Sequence, residues 1–190
     1  DFRPRVSAVL NITRDHLNRH HTMEAYIQAK KNVAINQTAE DTCVLNYEDE
    51  VLREFGETLQ TKVLYFSSKR KLDKGIYLDD GNIIYRNPDE CLVCNVKELK
   101  LLGVHNYENV MAAVAMAAAY GVPMDSIRKT IKEFAGVEHR IEFVAEKNGV
   151  AYYNDSKGTN PDAAIRGIQA MNRPTYLIGG GYDKQSEYKE

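Results

Sequence analysis

The chain has few cysteines, no apolar run long enough to cross a bilayer, and no marked excess of either charge. Each shortage excludes something. The longest apolar run, from Val110 to Tyr120, is short and alanine-rich, whereas a spanning helix needs about 20 apolar residues. A net charge of -2 at pH 7 provides no basic field to draw nucleic acid. Three cysteines (Cys43, Cys91 and Cys94) are too few, and odd in number, for a disulfide framework, which points to a reducing, cytoplasmic setting. The phosphate cradle G-x-x-x-x-G-K-[ST] occurs nowhere, and there is neither an initiator methionine nor a signal peptide. A strand-like run begins almost at once after Asp1-Phe2-Arg3-Pro4, and Tyr176-Leu177-Ile178 starts another close to the other end. A sheet begun that late needs more strands to bury it. The expectation is therefore an internal piece of a larger protein, with 190 residues holding one domain or parts of two.

What is present reads as α/β. Strands are expected over Val6 to Ile12, Thr42 to Asn46 and Lys62 to Phe66, and helices over the stretch after Thr22 and over Glu50 to Leu59. Ile76-Tyr77-Leu78 and Ile83-Ile84-Tyr85 flank Asp79-Asp80-Gly81-Asn82, a hairpin signal. Cys91-Leu92-Val93-Cys94 has the spacing of a zinc or redox pair, but no second pair exists and its neighbours read as strand, which favours core cysteines. His105-Asn106-Tyr107-Glu108-Asn109 opens an alanine-rich helix ended by Gly121 and Pro123. Small residues on every side suit it to a central position. Asp125 reads as the cap of the next helix, with Ile127, Ile131 and Phe134 inward.

Chemistry concentrates in a few places. Val150-Ala151-Tyr152-Tyr153 reads as a buried strand feeding Asn154-Asp155-Ser156-Lys157-Gly158-Thr159-Asn160-Pro161. Asn160 suits an N-cap and Pro161 the first helical position, where its missing N–H costs nothing. Asp155, Lys157 and Thr159 then lie in a strand-to-helix loop near the positive end of a helix dipole, which either favours anions or is simply a polar loop before a capped helix. On the helix after Thr22, Lys30 shares a stripe with Tyr26 and Ile27 while Lys31 points away. A lysine turned toward the core sheds water, which favours the neutral amine; snorkelling is the alternative. His16, beside Asp15 at a strand end, suits a metal or phosphate, or is merely solvated. Asn106 either caps its helix or offers its amide to a ligand such as a purine edge. Val137-Glu138-His139-Arg140 reads as a hinge, and Gly179-Gly180-Gly181-Tyr182-Asp183-Lys184 as a glycine turn with a lysine behind it.

Taken in order, these residues resemble the Mur ligases, ATP-dependent amide-forming enzymes of peptidoglycan synthesis. Asn11-Ile12-Thr13-Arg14-Asp15-His16 resembles the family's Asn-(Ile/Val)-Thr-x-Asp-His stretch, Ala29-Lys30 its carbamylated Ala-Lys, His105-Asn106 its His-Asn, and His139-Arg140 its interdomain His-Arg. Asn154-Asp155-Ser156-Lys157-Gly158-Thr159-Asn160 is similar to the stretch carried by members that add D-glutamate, and Gly179-Gly180-Gly181-Tyr182-Asp183-Lys184 fits their Gly-Gly-x-x-Lys turn.

The resemblance implies the later part of a central ATPase domain with a mixed sheet and helices over residues 1–137, and the first part of a C-terminal Rossmann-like domain over 138–190. The phosphate loop would then precede Asp1, and the rest of the amino-acid site would follow Glu190. It further implies ATP and Mg2+ as cofactors, and UDP-N-acetylmuramoyl-L-alanine and D-glutamate as substrates. A monomeric full-length enzyme without nucleic-acid or membrane partners is expected, with the isolated chain inactive. By resemblance, His16 and carbamylated Lys30 hold magnesium, Asn106 meets adenine, Asp155 and Lys157 the ribose and nearby phosphate, and Arg140 the γ-phosphate. Thr159 and Lys184 hold a D-glutamate carboxylate, while Asp15 and Tyr26 shape the muramyl end. The competing expectations are a relative acting on another carboxylate, such as a folate polyglutamate ligase, and a nucleotide-binding module without catalysis.

Overall fold

In the computed structural model, residues 2–13 and 17–181 are described, with the side chains of all of these except Leu17, Asn18 and Asp162. Six strands form one sheet in sequence order: β1 (Val6–Val9), β2 (Thr42–Asn46), β3 (Lys62–Ser67), β4 (Gly75–Asp79), β5 (Asn82–Arg86) and β6 (Glu90–Asn95). The first four run parallel and the last three antiparallel, so β4 is where the sheet changes character. The hairpin expected at Asp79–Asn82 is present, and Asp80 and Gly81 both take positive φ (45° and 75°), which a tight two-residue turn requires.

Two helical layers cover the sheet. Every residue of β2 is buried, because alternate side chains enter different cores. Val44 faces Leu64, Phe66 and Ile76 beneath α4 (Val104–Tyr120) and α5 (Met124–Glu133). Cys43 and Leu45 face the opposite way, to Leu52 and Phe55 of α3 (Glu50–Thr58) and to Ala34. The short α1 (Leu17–His20) and then α2 (Met23–Lys31) link β1 to this second layer. α4 lies across β1 to β4, with Met111, Val114 and Ala115 fully buried. Its alanines let the helix sit close to the sheet, which is the central placement expected of them.

Beyond α5, β7 (Glu142–Lys147) and β8 (Val150–Asn154) pair antiparallel as a separate two-stranded sheet, turned by Asn148-Gly149 and followed by α6 (Pro161–Gln169).

Several expectations are corrected here. β1 ends at Val9 rather than Ile12, because Leu10 and Ile12 are held from α3's side instead: Asn46 Nδ2 donates to the Leu10 carbonyl, and Ile12 N–H to Asp49 Oδ2. Asp125 is not a cap. Pro123 occupies the cap position, and Asp125 sits in the first turn of α5, paired with Arg128 at 2.9 Å. Phe134 is exposed, since the helix has ended and the backbone extends there. Val150, Tyr152 and Tyr153 are likewise exposed, because a two-strand ribbon with one helix has no second layer to cover it. Tyr176-Leu177-Ile178 has no regular structure, having no strand to pair with. Of the paired cysteines, Cys94 is core and Cys91 only half-buried, with Arg128 Nη2 donating to its sulfur. Among the described residues no His, Cys, Asp and Glu cluster suits a metal.

Candidate active site

The loops that leave the parallel strands gather at their C-terminal ends, and ligands of open α/β sheets collect there. A cavity of about 280 Å³ lies at that edge. Leu10, Asn11 and Thr13 border it after β1, and Phe66 at the end of β3. His105, Glu108 and Asn109 border it from the first turns of α4, where their spacing puts them on one face. Arg140, Asp155, Lys157 and Arg166 close it from the β7–β8–α6 side.

The loop after β8 is built by short local bonds. Asn160 caps α6, its side chain accepting from Ala163 N–H at 2.8 Å, and Pro161 opens the helix, as the sequence predicts. Gly158 N–H donates to the Asp155 carbonyl and Lys157 N–H to the His139 carbonyl. The Asp155 carboxylate accepts from Ile141 N–H at 3.1 Å. Its other oxygen lies so near Gly158 and Gly167 that a Cβ there would stand 2.9 and 2.5 Å away. The two glycines thus leave room for this carboxylate. The joint itself is bent: His139 and Ile141, on either side of Arg140, both have positive φ (68° and 45°), an outlier for a β-branched residue. Asn154 Nδ2 lies 2.9 Å from His139 Nδ1 and stabilises this bend.

Lys30, Arg140, Lys157 and Arg166 all line the cavity, giving it four cations from separate segments. Tyr26, only 5% exposed, forms part of the wall beneath Lys30, whose ammonium lies 5.4 Å from its ring centroid. Lys31 turns to Phe55 of α3, 5.2 Å from that ring. The helix face separates the two lysines, but not in the sense expected: Lys30 is exposed at the rim and not turned into the core, whereas Lys31 is half-buried against Phe55. His105 is half-buried among Arg140, Arg166, Asp155 and Glu108. Burial, and then the two arginines, hold its imidazole below the ordinary value of 6.5.

Asn106 is neither a cap nor a lining residue. Gly103 takes the cap position, and Asn106 is buried with Nδ2 donating to the Leu102 carbonyl at 2.7 Å. Thr159 is exposed beside the cavity without lining it. Asp15, His16 and Lys184 lie outside the described residues. Glu108, Asn109 and Arg166 are lining residues that sequence reasoning did not single out. The available signal was spacing: Glu108 and Asn109 follow His105 by three and four positions, and Arg166 follows Ala163 by three.

The architecture is a mixed α/β sheet with a cation-lined cavity at its strand ends, and residues 1–117 match the Mur ligase middle domain. The chain belongs to the Mur ligase family. Over all 190 residues it is 62% identical to the UDP-N-acetylmuramoylalanine–D-glutamate ligase of Lachnoclostridium phytofermentans, and 50% identical to that of Clostridioides difficile. It spans 42% of the length of each of these relatives. Among solved structures, a UDP-N-acetylmuramoylalanyl-D-glutamyl-2,6-diaminopimelate–D-alanyl-D-alanyl ligase from Acinetobacter baumannii superposes with a TM-score of 0.70 at 20% identity, over 88% of this chain and 37% of that one. A MurF ligase from Thermotoga maritima in complex with ADP gives 0.64 at 20% identity, over 88% of this chain and 39% of that one. At such identities these two likenesses establish the fold alone.

Proposed function

We propose that the full-length protein is an ATP-dependent ligase that joins D-glutamate to UDP-N-acetylmuramoyl-L-alanine in the cytoplasm. Residues 1–137 would belong to its central nucleotide domain and 138–190 to its C-terminal domain. The observation that carries this reading is the convergence of Lys30, Arg140 and Lys157 on one cavity at the strand ends. The names of the relatives supply the substrates.

The chemistry explains why such a site needs cations. A free carboxylate is a poor electrophile, so the γ-phosphate of ATP passes to it and the resulting acyl phosphate provides a leaving group. The amine of D-glutamate then attacks the carbonyl carbon, and phosphate departs. Crowded anionic oxygens are stabilised by fixed positive groups, and positioning supplies most of the rest. In this reading Arg140 meets the γ-phosphate, Lys157 a nearby phosphate oxygen and Asp155 the ribose. Asn109 borders the cavity where Asn106 does not, and takes the place by adenine first expected of Asn106. Tyr26 shapes the muramyl end together with Asp15, and Thr159 and Lys184 receive a carboxylate of D-glutamate.

The donor set suits an anionic triphosphate. It does not by itself make a magnesium site, since the described residues hold no acidic or histidine cluster. The metal ligands of this reading are His16 and a carbamylated Lys30, which would supply a carboxylate where a bare ammonium would repel the ion. The test is ADP release by the full-length enzyme, which must require both UDP-N-acetylmuramoyl-L-alanine and D-glutamate. Turnover with a folate acceptor and L-glutamate instead would overturn the substrate assignment. Lys30→Ala is expected to lose activity that a small carboxylate partly restores, while Lys31→Ala stays active; equal losses would refute the assignment of Lys30.

A further inference from the structure

Between the six-stranded sheet layer and the β7–β8–α6 segment, contact is sparse. Arg166 Nη1 on α6 lies 4.0 Å from Glu108 Oε2 on α4, and both side chains are largely covered, at 34% and 18% exposure. Among the described residues no other ion pair joins residues 2–137 to residues 138–181. One turn before Glu108 and one turn after Arg166, the same two helices touch again. Gly103 and Ala170 approach so closely that a Cβ on Gly103 would stand 2.6 Å from that of Ala170, which is itself buried. Glu108 is held from behind by the Ser68 hydroxyl, which donates to its other oxygen. His105 lies among the same charges, facing Arg166, Arg140, Asp155 and Glu108.

We propose that Glu108 and Arg166 are a positioning pair that clamps α6 against the first turns of α4, closing the wall between the two halves of the cavity. Both side chains line the cavity, and the role proposed for them is one of position. It acts by fixing the distance from Lys157 and Asp155 to the α4 face, so that a nucleoside triphosphate meets both walls together. The bent joint at His139 and Ile141 lets the smaller segment swing when the pair is released. A partly exposed pair of this kind is a modest clamp, so its loss is expected to change apparent affinity by about fivefold at most. Only the identity of the ligand rests on the proposed function, so closure and binding are measured separately.

The experiment uses the full-length protein with spin labels at Lys129 on α5 and Lys147 on β7, both exposed. Without nucleotide, Glu108→Gln, Arg166→Gln and the double variant should each shift the label distances from the short toward the long population, the double no more than the worse single variant. Arg166→Lys, which keeps the charge, should restore part of the short population. With Mg-ATP as the probe, the same variants should raise the ATP KM by roughly threefold to fivefold, again without further loss in the double. Unchanged distances in all variants, or effects of the two single changes that multiply in the double, would overturn the pair. If wild type binds no Mg-ATP while the distance shifts hold, the pair stands and the functional reading fails.

Discussion

Cys94 and His105 are both titratable groups inside the fold, and burial favours the neutral form of each. For the thiol this means an upward shift: desolvation, with Glu98 adding to it, pushes Cys94 to about 11. Cys94 should therefore resist thiol reagents at pH 8 in the native protein and react only after unfolding, as mass spectrometry of alkylated peptides would register. Rapid native labelling would contradict its core placement. For His105 the shift is downward, through burial first and then Arg166 and Arg140. The folded state then binds this proton less readily than the unfolded chain. The contribution of His105 to stability is full above pH 6.5 and is lost as pH falls below it toward the lowered folded value. His105→Gln should flatten that part of the stability–pH curve in denaturant titrations; an unchanged slope would mean that other groups set it. At this scale the sequence was legible where a residue type satisfies a local geometry, as with Asn160 and Pro161. It misled at Asn106, whose amide serves a backbone carbonyl one turn earlier in the chain. It misled again at Lys30, whose helix lies at the rim.

Helix α4 carries the largest share of one core, and its small side chains are a packing requirement. Ala115 is fully buried against the sheet, so Ala115→Leu should cost about 1–3 kcal/mol by overpacking, read as a lower denaturation midpoint. Helix α6 makes a different demand. An alanine in place of a helical glycine usually stabilises by roughly 1 kcal/mol. At Gly167 the new Cβ would stand 2.5 Å from Asp155 Oδ2. Gly167→Ala should therefore displace the Asp155 carboxylate and weaken nucleotide binding in the full-length enzyme while leaving the melting temperature nearly unchanged. Unaltered binding would show that this carboxylate is not needed in its observed position. Periodicity predicted α3 well because its apolar stripe meets a sheet, and α4 was legible from its run of alanines and the stop at Gly121 and Pro123. It failed at Phe134 because the helix ends just before it, and the apolar run misled at Val150, Tyr152 and Tyr153 because apolar character does not show whether another layer covers a face.

At the scale of the whole molecule, the cavity exists because two segments distant in sequence meet at the strand ends. Lys30 and Lys157 come from opposite sides of it, and motif reading named both without fixing how they are oriented. That meeting depends on the joint at Arg140, whose positive φ neighbours no propensity would predict. Since the relatives are more than twice as long, the 190-residue chain alone is expected to form no amide and hydrolyse no ATP. Measurable ligase turnover by the purified chain would contradict that. In the full-length enzyme, Lys157→Ala should lower kcat/KM by about a hundredfold or more, the scale of removing one fixed charge from developing phosphate oxygens. The most direct test of the shared cavity is a crystal structure of the full-length enzyme with a non-hydrolysable ATP analogue. The triphosphate is expected within hydrogen-bond reach of Arg140 and Lys157 and the base against the His105–Asn109 face of α4; a nucleotide bound elsewhere, with this cavity closed to it, would rule out the shared cavity.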